Sequence, residues 1–376
     1  MTVIDCAGDG RSRGRAHGEA ARLLVRDAIA RWEEATLAGQ PQGADILDYA
    51  RRFLASTGLM RAMEAAAPDL VAEIHGIAEA TGLPEELVSA YNLMDEQWWY
   101  DLGRQQAEPG CSLVALHDNA STVLAQNMDL PSFMDGSQIV LHLSPPDGPR
   151  MLLLSSAGLI GLTGVNSAGV AICVNTLLML RSNPNGLPVA AVVRHALAQT
   201  SAAEARAVLK SVTHASGQHY AIADRHGVAS FECSAGGCVP SSEPGAARLT
   251  HTNHPLASAD FDDPSLELLE SRGRIADSRR RLMHLDNWLA AGGTSRDVVA
   301  LLEEPDTPIC IRPTPDWRGQ TFSSVMFRLG DEAEAWFRLG KAGDAPWQRI
   351  SLELDAEEQG VPRPHVGADL TQPVLP

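Results

Sequence analysis

The sequence predicts an α+β fold in which antiparallel sheets are packed inside layers of helix. Three observations carry this expectation. Residues 1–103 read mainly as amphipathic helix. At Cys111 the texture switches to short apolar segments separated by turn formers. Beyond it, hairpins alternate with pairs of helices, the order expected of helices layered on antiparallel sheet.

In residues 17–38, Val25, Ile29 and Trp32 fall at i, i+4 and i+7 with Arg and Glu between them, which predicts one helix. Residues 47–66 continue in that style, and Leu70, Ile74 and Ile77 repeat it up to a Gly82 stop. Pro84 suits the first turn of the next helix, PEELVSAYNLMDEQWWYDL, residues 84–102. A polar link, GRQQAEPG, follows. CSLVALHD and STVLAQNMD then form a hairpin about Asp118-Asn119-Ala120. SQIVLHLS and RMLLLSSA are strands around the turn PPDGP, and LTGVNSAGVAICVN is a hairpin turning at Asn166-Ser167-Ala168-Gly169. Pro188 opens one helix, and the Ser201–Glu204 capping box opens another. HYAIADRHGVASFEC is a hairpin, SLELLESRGRIADSRRRLMHLDNWLAAGG is helical, and Ser295 caps a further helix. TFSSVMFRLGDEAEAWFRLG closes the pattern as a late hairpin, and the Pro-rich tail GVPRPHVGADLTQPVLP reads as irregular. No internal repeat is evident.

Bulk properties narrow the function. The 376 residues suffice for one large domain or two or three ordinary ones, and 20% charged residues mark an ordinary globular chain. A formal charge of −17 argues against nucleic-acid or anionic-membrane partners, which require a basic face. No apolar run approaches the roughly 18 residues of a membrane span, and the first twenty residues lack a signal core. A cytoplasmic location is therefore expected. None of the six cysteines (Cys6, Cys111, Cys173, Cys233, Cys238 and Cys310) forms a C-x-x-C pair. Reduced, mostly buried thiols are the expectation for all but Cys111, and Cys233 with Cys238 lacks neighbouring ligands for zinc.

Phosphate-loop, H-E-x-x-H and G-x-S-x-G motifs are absent. His214/His219 and His251/His254 read as loop or surface residues, and no metal site is expected. That leaves Cys111, in EPGCSLVAL. A cysteine opening a strand is ordinarily a core residue. As a nucleophile it would need a base, and no histidine is obviously placed to serve. Cleavage just before it would free an α-amino group with a pKa of roughly 7.7–8, a base on the same residue as the sulfur. Gly110 would ease the close approach such cleavage needs.

Six segments, in order, carry a resemblance. They are the helical prelude RGRAHGEAARLL with LVAEIHGIAEATGLPEELVSAYNLMDE, then GCSLVAL, AQNMDL, GVNSAGVAICVN, LTHTNHP and TFSSVMFRL. Together the chain resembles the N-terminal nucleophile hydrolases, within them the autoproteolytic acyltransferases typified by isopenicillin N acyltransferase, relatives of the choloylglycine and penicillin V amidases. The resemblance implies a four-layer αββα sandwich, self-cleaved between Gly110 and Cys111. Residues 1–110 would be the helical α-chain and 111–376 the catalytic β-chain of one globular unit. It implies Cys111 as nucleophile, Asp129 as the carboxylate that holds the α-amino group, and Asn253 as an oxyanion-hole donor. Asn166 and Asn175 are candidates for further polar contacts around the site, and the role of Ser324, beside Ser323, stays open.

The expected activity is hydrolysis of a small N-acyl amide through a Cys111 thioester, without metal or organic cofactor. Transfer of the acyl group to an amine is the alternative, and a catalytically silent binding protein is another. A metal-dependent hydrolase built on the histidines, or a serine hydrolase, would be rivals of a different class. The expected partners are the amide substrate and the chain's own cleaved α-segment, with higher homo-oligomers left open.

Overall fold

A computed structural model describes residues 1–101, 110–118, 120–305, 307–313 and 319–353. Most of the GRQQAEPG link, Asn119 of the first hairpin turn and the Pro-rich tail lie outside the described residues.

The N-terminal part opens with β1 (Val3–Ala7) and continues as α1 (Gly10–Ala20), α2 (Arg22–Leu37), α3 (Ile46–Ser56), α4 (Leu59–Ala66), α5 (Pro68–Thr81), α6 (Glu85–Asn92) and α7 (Met94–Tyr100). The single helix expected over 17–38 is two, interrupted at Ala21. Gly82 stops α5 in the left-handed region, where a side chain would be strained. Pro84 stands one residue before α6, at its cap rather than in its first turn.

Helices α1 and α5 pack backbone to backbone. A Cβ on Gly14 would stand 1.9 Å from the carbonyl oxygen of Glu73, and one on Gly76 would stand 2.4 Å from that of Arg11. Only glycine permits that approach. Beside it, buried Glu73 binds Arg13 at 2.9 Å and Arg194 at 2.7 Å. Burial alone would raise its pKa, but the two guanidiniums hold it below the usual carboxylate value.

From Gly110 the chain forms β2 (Gly110–His117), β3 (Thr122–Pro131), β4 (Gln138–Ser144), β5 (Met151–Ser156), β6 (Thr163–Asn166) and β7 (Ala171–Thr176). Helices α8 (Val189–Leu197) and α9 (Ala202–Ser211) precede β8 (Gln218–Asp224), β9 (Gly227–Ser234), β10 (Gly237–Ala246) and β11 (Arg248–His251). Last come α10 (Asp263–Ser271), α11 (Arg274–Ala290), α12 (Val298–Glu303), β12 (Gly319–Leu329), β13 (Ala333–Leu339) and β14 (Gln348–Ile350). Gly273, with φ of 70°, splits the long helical stretch into α10 and α11. The cap before α12 is Thr294, not Ser295: its hydroxyl and Asp297 form a reciprocal capping box around a short 3-10 turn.

Two sheets result among the described residues. One has eight strands in the order β1-β4-β5-β6-β7-β8-β9-β10, the other six in the order β11-β2-β3-β12-β13-β14. All pairings are antiparallel except β1 with β4, which ties the N-terminal segment into the larger sheet. Four of these strands escape the periodicity: β1, β11 and β14 are short, and β10 is an exposed edge strand carrying two prolines and two register breaks.

The sheets face each other through a core that includes Leu113, Leu124, Cys173 and Val325. Helices α11 and α12 cover the other face of the six-stranded sheet, where Val114, Val123 and Met326 meet Leu285, Leu301 and Leu302. Strands β2 and β3 are buried on both faces, which explains why they read as near-continuous apolar runs.

Two expectations fail here. Cys233 and Cys238, opposite each other on β9 and β10, are joined as a disulfide rather than standing as free thiols. His214, His219, His251 and His254 are all buried rather than on the surface, and His219 and His251 lie in strands β8 and β11 rather than in loops.

Candidate active site

Cys111 is the second residue of β2, paired with Met128 of β3, and it is buried. Strand β11 runs antiparallel on its other side, with His251 opposite Leu113, so the chain just past β11 brings Asn253 level with Cys111. Asn253 Oδ1 accepts a hydrogen bond from the Cys111 backbone nitrogen at 2.6 Å. Its Nδ2 donates to the Thr176 carbonyl at 3.0 Å.

Arg281, unforeseen in the sequence, completes this arrangement from α11. Its Nη1 donates to the Cys111 carbonyl at 2.7 Å and its Nη2 to Asn253 Oδ1 at 3.0 Å. Its Nε binds Asp277 at 3.0 Å. A guanidinium has only donors, so the Asn253 atom facing it must be the oxygen. The expected oxyanion donor therefore presents an acceptor to Cys111 in the intact chain. Ser278, also on α11, accepts from the Asn253 backbone nitrogen at 2.8 Å and meets Thr252 and His254, clamping residues 252–254.

Asp129 lies opposite Gly110 in the β2–β3 ladder. Paired residues project on one face, so its carboxyl stands over Gly110, while the Cys111 side chain leaves the other face with Met128. A Cβ on Gly110 would lie 3.3 Å from Asp129 Oδ2. Oδ1 accepts from Thr321 at 2.7 Å, and Oδ2 is buried without a partner among the described residues. Burial raises the Asp129 pKa to about 7, against the opposing pull of Arg281 and Thr321. Burial, with the charge of Asp129, likewise pushes the Cys111 thiol up, so in the intact chain it holds its proton.

Asn175 sits beside the site on β7, next to Thr176. Its Oδ1 meets His219 at 2.9 Å, while its buried Nδ2 has no partner among the described residues. His219 stacks on His251 with ring centres 3.5 Å apart, and His251 meets Glu232 at 3.1 Å. Burial drives His219 well below its usual value, with His251 adding to the shift. Glu232 accepts from the backbone nitrogens of Leu256, Ala257 and Ser258, anchoring the loop that follows Asn253. Period-two alternation places these histidines on the inter-sheet face, a consequence invisible until β8 and β11 are aligned.

Two other candidates are not brought to Cys111. Asn166 ties its own hairpin to the end of α8: Nδ2 donates to Leu197 and Gln199, and Oδ1 accepts from Ala168 and Val170. The Ser324 hydroxyl donates to Asn127 at 2.5 Å and accepts from Arg338 at 2.6 Å, within a buried cluster reaching α12. Both are committed to the scaffold. The three ligand atoms of His214, Cys233 and Cys238 lie within 4.8 Å of one another, but the two sulfurs are bonded to each other.

A cavity of about 210 Å³ shares Thr176 with the site. Trp32, Trp98, Phe133 and Leu162 supply apolar walls, and Asp95 and Thr176 are among its polar groups.

A curated relative from Emericella nidulans, the 40 kDa form of acyl-coenzyme A:6-aminopenicillanic-acid-acyltransferase, is 28% identical over 348 residues, covering 91% of this chain and 93% of its own. Among solved structures, a variant of conjugated bile acid hydrolase from Clostridium perfringens aligns over 64% of this chain and 92% of its own, at 12% identity and a TM-score of 0.45. A Caenorhabditis elegans ortholog of N-acylethanolamine-hydrolyzing acid amidase aligns over 57% and 91%, at 16% identity and a TM-score of 0.41. Those two likenesses are too distant to carry an argument. The family model for acyl-coenzyme A:6-aminopenicillanic acid acyl-transferase matches residues 116–343, more than half the chain and all of it downstream of Cys111. The chain belongs to the acyl-coenzyme A:6-aminopenicillanic acid acyl-transferase family.

Proposed function

We propose that this chain is a self-processing cysteine amidohydrolase that cleaves a small N-acyl amide through a thioester on Cys111. The observation that carries the reading is the grip on Cys111: Asn253 holds its nitrogen, Arg281 holds its carbonyl, and Asp129 overhangs Gly110. A core cysteine needs none of these buried polar groups, each of which is costly to desolvate.

In the first reaction the Cys111 sulfur bonds to the Gly110 carbonyl carbon and the Gly110–Cys111 C–N bond breaks. The nitrogen departs with a proton from Asp129, poised near neutrality, and the proton lost by the thiol as the S–C bond forms restores that carboxyl, so that no net proton is consumed. Water then opens the thioester, leaving Gly110 as a carboxylate and Cys111 with a free thiol and α-amine. The new amine has an ordinary pKa of roughly 7.7–8 and serves as the base that the intact chain lacks. Asn253 Oδ1 is placed to accept from that amine and orient it.

In turnover the sulfur attacks the substrate carbonyl and the amine leaves with the proton that the α-amine collected. Asn175 Nδ2, which has no partner among the described residues, is the candidate to meet the oxyanion. Removal of such a donor costs about 10²–10³ in rate. Residues 1–110 and 111–376 then remain one body, held by the β1–β4 pairing and the Glu73–Arg194 ion pair. No helix among the described residues is long and apolar enough to cross a membrane.

Water is the default acceptor of the thioester. The description of the matching family, and that of the Emericella relative, favour a second reading in which an amine receives the acyl group. Incubation of purified enzyme with a panel of N-acyl p-nitroanilides, with and without an added primary amine, tests both. The expected result is nitroaniline release that disappears in Cys111→Ala, with free acid as the product in water. A new amide in the presence of the amine would assign acyl transfer, and equal release by Cys111→Ala would reject the mechanism.

A further inference from the structure

The cavity that Thr176 shares with the Cys111 site contains a carboxyl group that nothing in the mechanism uses. Asp95 is half-buried on its wall, among Trp32, Trp98, Phe133 and Leu162. Its Oδ2 receives two long hydrogen bonds, from Thr176 Oγ1 at 3.3 Å and Gln218 Nε2 at 3.4 Å. Among the described residues no Lys, Arg or His forms an ion pair with it, and no positive charge offsets its burial. An ionised carboxylate in such surroundings is costly unless a positive charge is brought to it.

Thr176 ties this carboxyl to the chemistry. Its hydroxyl meets Asp95, and its carbonyl accepts from Asn253 Nδ2, whose oxygen holds the Cys111 nitrogen. One residue thus separates Asp95 from the group that positions the nucleophile. The charge of Asp95 is felt at the Cys111 thiol.

Resting on the amidase reading above, we propose that Asp95 is a specificity residue and that the substrate group held in this cavity carries a primary ammonium on a short apolar frame. The aromatic walls favour a cation as well as the apolar frame. The volume, below the ~300–1,000 Å³ typical of drug-sized ligands, limits the group to a small one.

Isosteric substrate pairs test this. In one arm, 3-aminopropanoyl p-nitroanilide is compared with butanoyl p-nitroanilide, which differ by an ammonium in place of a methyl on the acyl side. In the other, N-butanoyl ethylenediamine is compared with N-butanoyl propylamine, which places the ammonium on the leaving side. The expectation is a kcat/KM preference of about 10- to 100-fold for the ammonium in one arm, the size of a charged hydrogen bond. That preference, read as the ratio of kcat/KM within each isosteric pair so that any common change in rate cancels, should collapse in Asp95→Asn. Competitive inhibition of the wild type by butylammonium but not by butan-1-ol gives the same answer without a variant. Preference for the neutral isostere in both arms, or an unchanged preference in Asp95→Asn, overturns the proposal. Cleavage of none of the four substrates or the wider anilide panel by self-processed enzyme would instead remove the amidase reading on which it rests.

Discussion

Asn253 turns its side-chain oxygen, not its nitrogen, toward the backbone nitrogen of Cys111, and Arg281 enforces that orientation by donating to the same oxygen. One acceptor thus bridges the Cys111 nitrogen and a buried guanidinium. The shared contact makes Arg281 part of the positioning of Cys111 rather than a distant structural ion pair.

Arg281→Met keeps the bulk of the side chain and removes its donors. The Cys111 carbonyl and Asn253 Oδ1 then each lose a charged donor, and a buried acceptor that loses its partner costs about 1–3 kcal/mol. Self-cleavage should slow by at least ~10²-fold at a temperature where circular dichroism shows the variant folded. A denaturing-gel time course on freshly made protein measures it. Arg281→Lys should recover only part of the rate, because one ammonium cannot reproduce the two-pronged contact.

Asp129 gives the stability a definite pH dependence. Its pKa rises from 3.8 to about 7 on folding. Between those values the native chain keeps a proton that the unfolded chain has released, so its contribution to stability is complete below the lower value and is lost as pH rises toward 7. The total is up to about 4 kcal/mol. In the uncleaved Cys111→Ala background, adding Asp129→Asn should flatten the fall in melting temperature across that window. Parallel profiles with and without the second substitution would contradict the raised pKa.

Ser324 should behave as scaffold. Ser324→Ala leaves Asn127 Oδ1 and one Arg338 nitrogen short of a partner, at a cost of about 1–3 kcal/mol. Chemical denaturation should show that loss, while the self-cleavage rate of the folded protein stays within about twofold of wild type.

How far the sequence could be read follows from these same residues. Apolar spacing revealed α5 and the β2–β3 and β12–β13 hairpins because each buries a regular face. Cys111, Asp129 and Asn253 could be nominated because each lies in a motif with a recognisable neighbour sequence. Arg281 could not, being the last of three consecutive arginines on an amphipathic helix. The only local hint is Asp277 four residues earlier, the spacing of a helical ion pair. His219 and His251 were misread because their burial depends on which strand lies opposite. His251 faces His219 only after the two sheets close over one another. The Cys233–Cys238 pairing likewise depends on β10, a strand whose two prolines mask its periodicity. Long-range juxtaposition, rather than local propensity, accounts for what was missed.

The central claim is that Cys111 cleaves the bond before it. Denaturing mass spectrometry of the purified protein, with N-terminal sequencing of each chain and Cys111→Ala alongside, tests it most directly. The account predicts two wild-type chains, the larger beginning Cys-Ser-Leu-Val, and a single intact chain for the variant. A wild-type chain that stays whole under conditions where it cleaves amides, or a variant that is cut at the same bond, would contradict it.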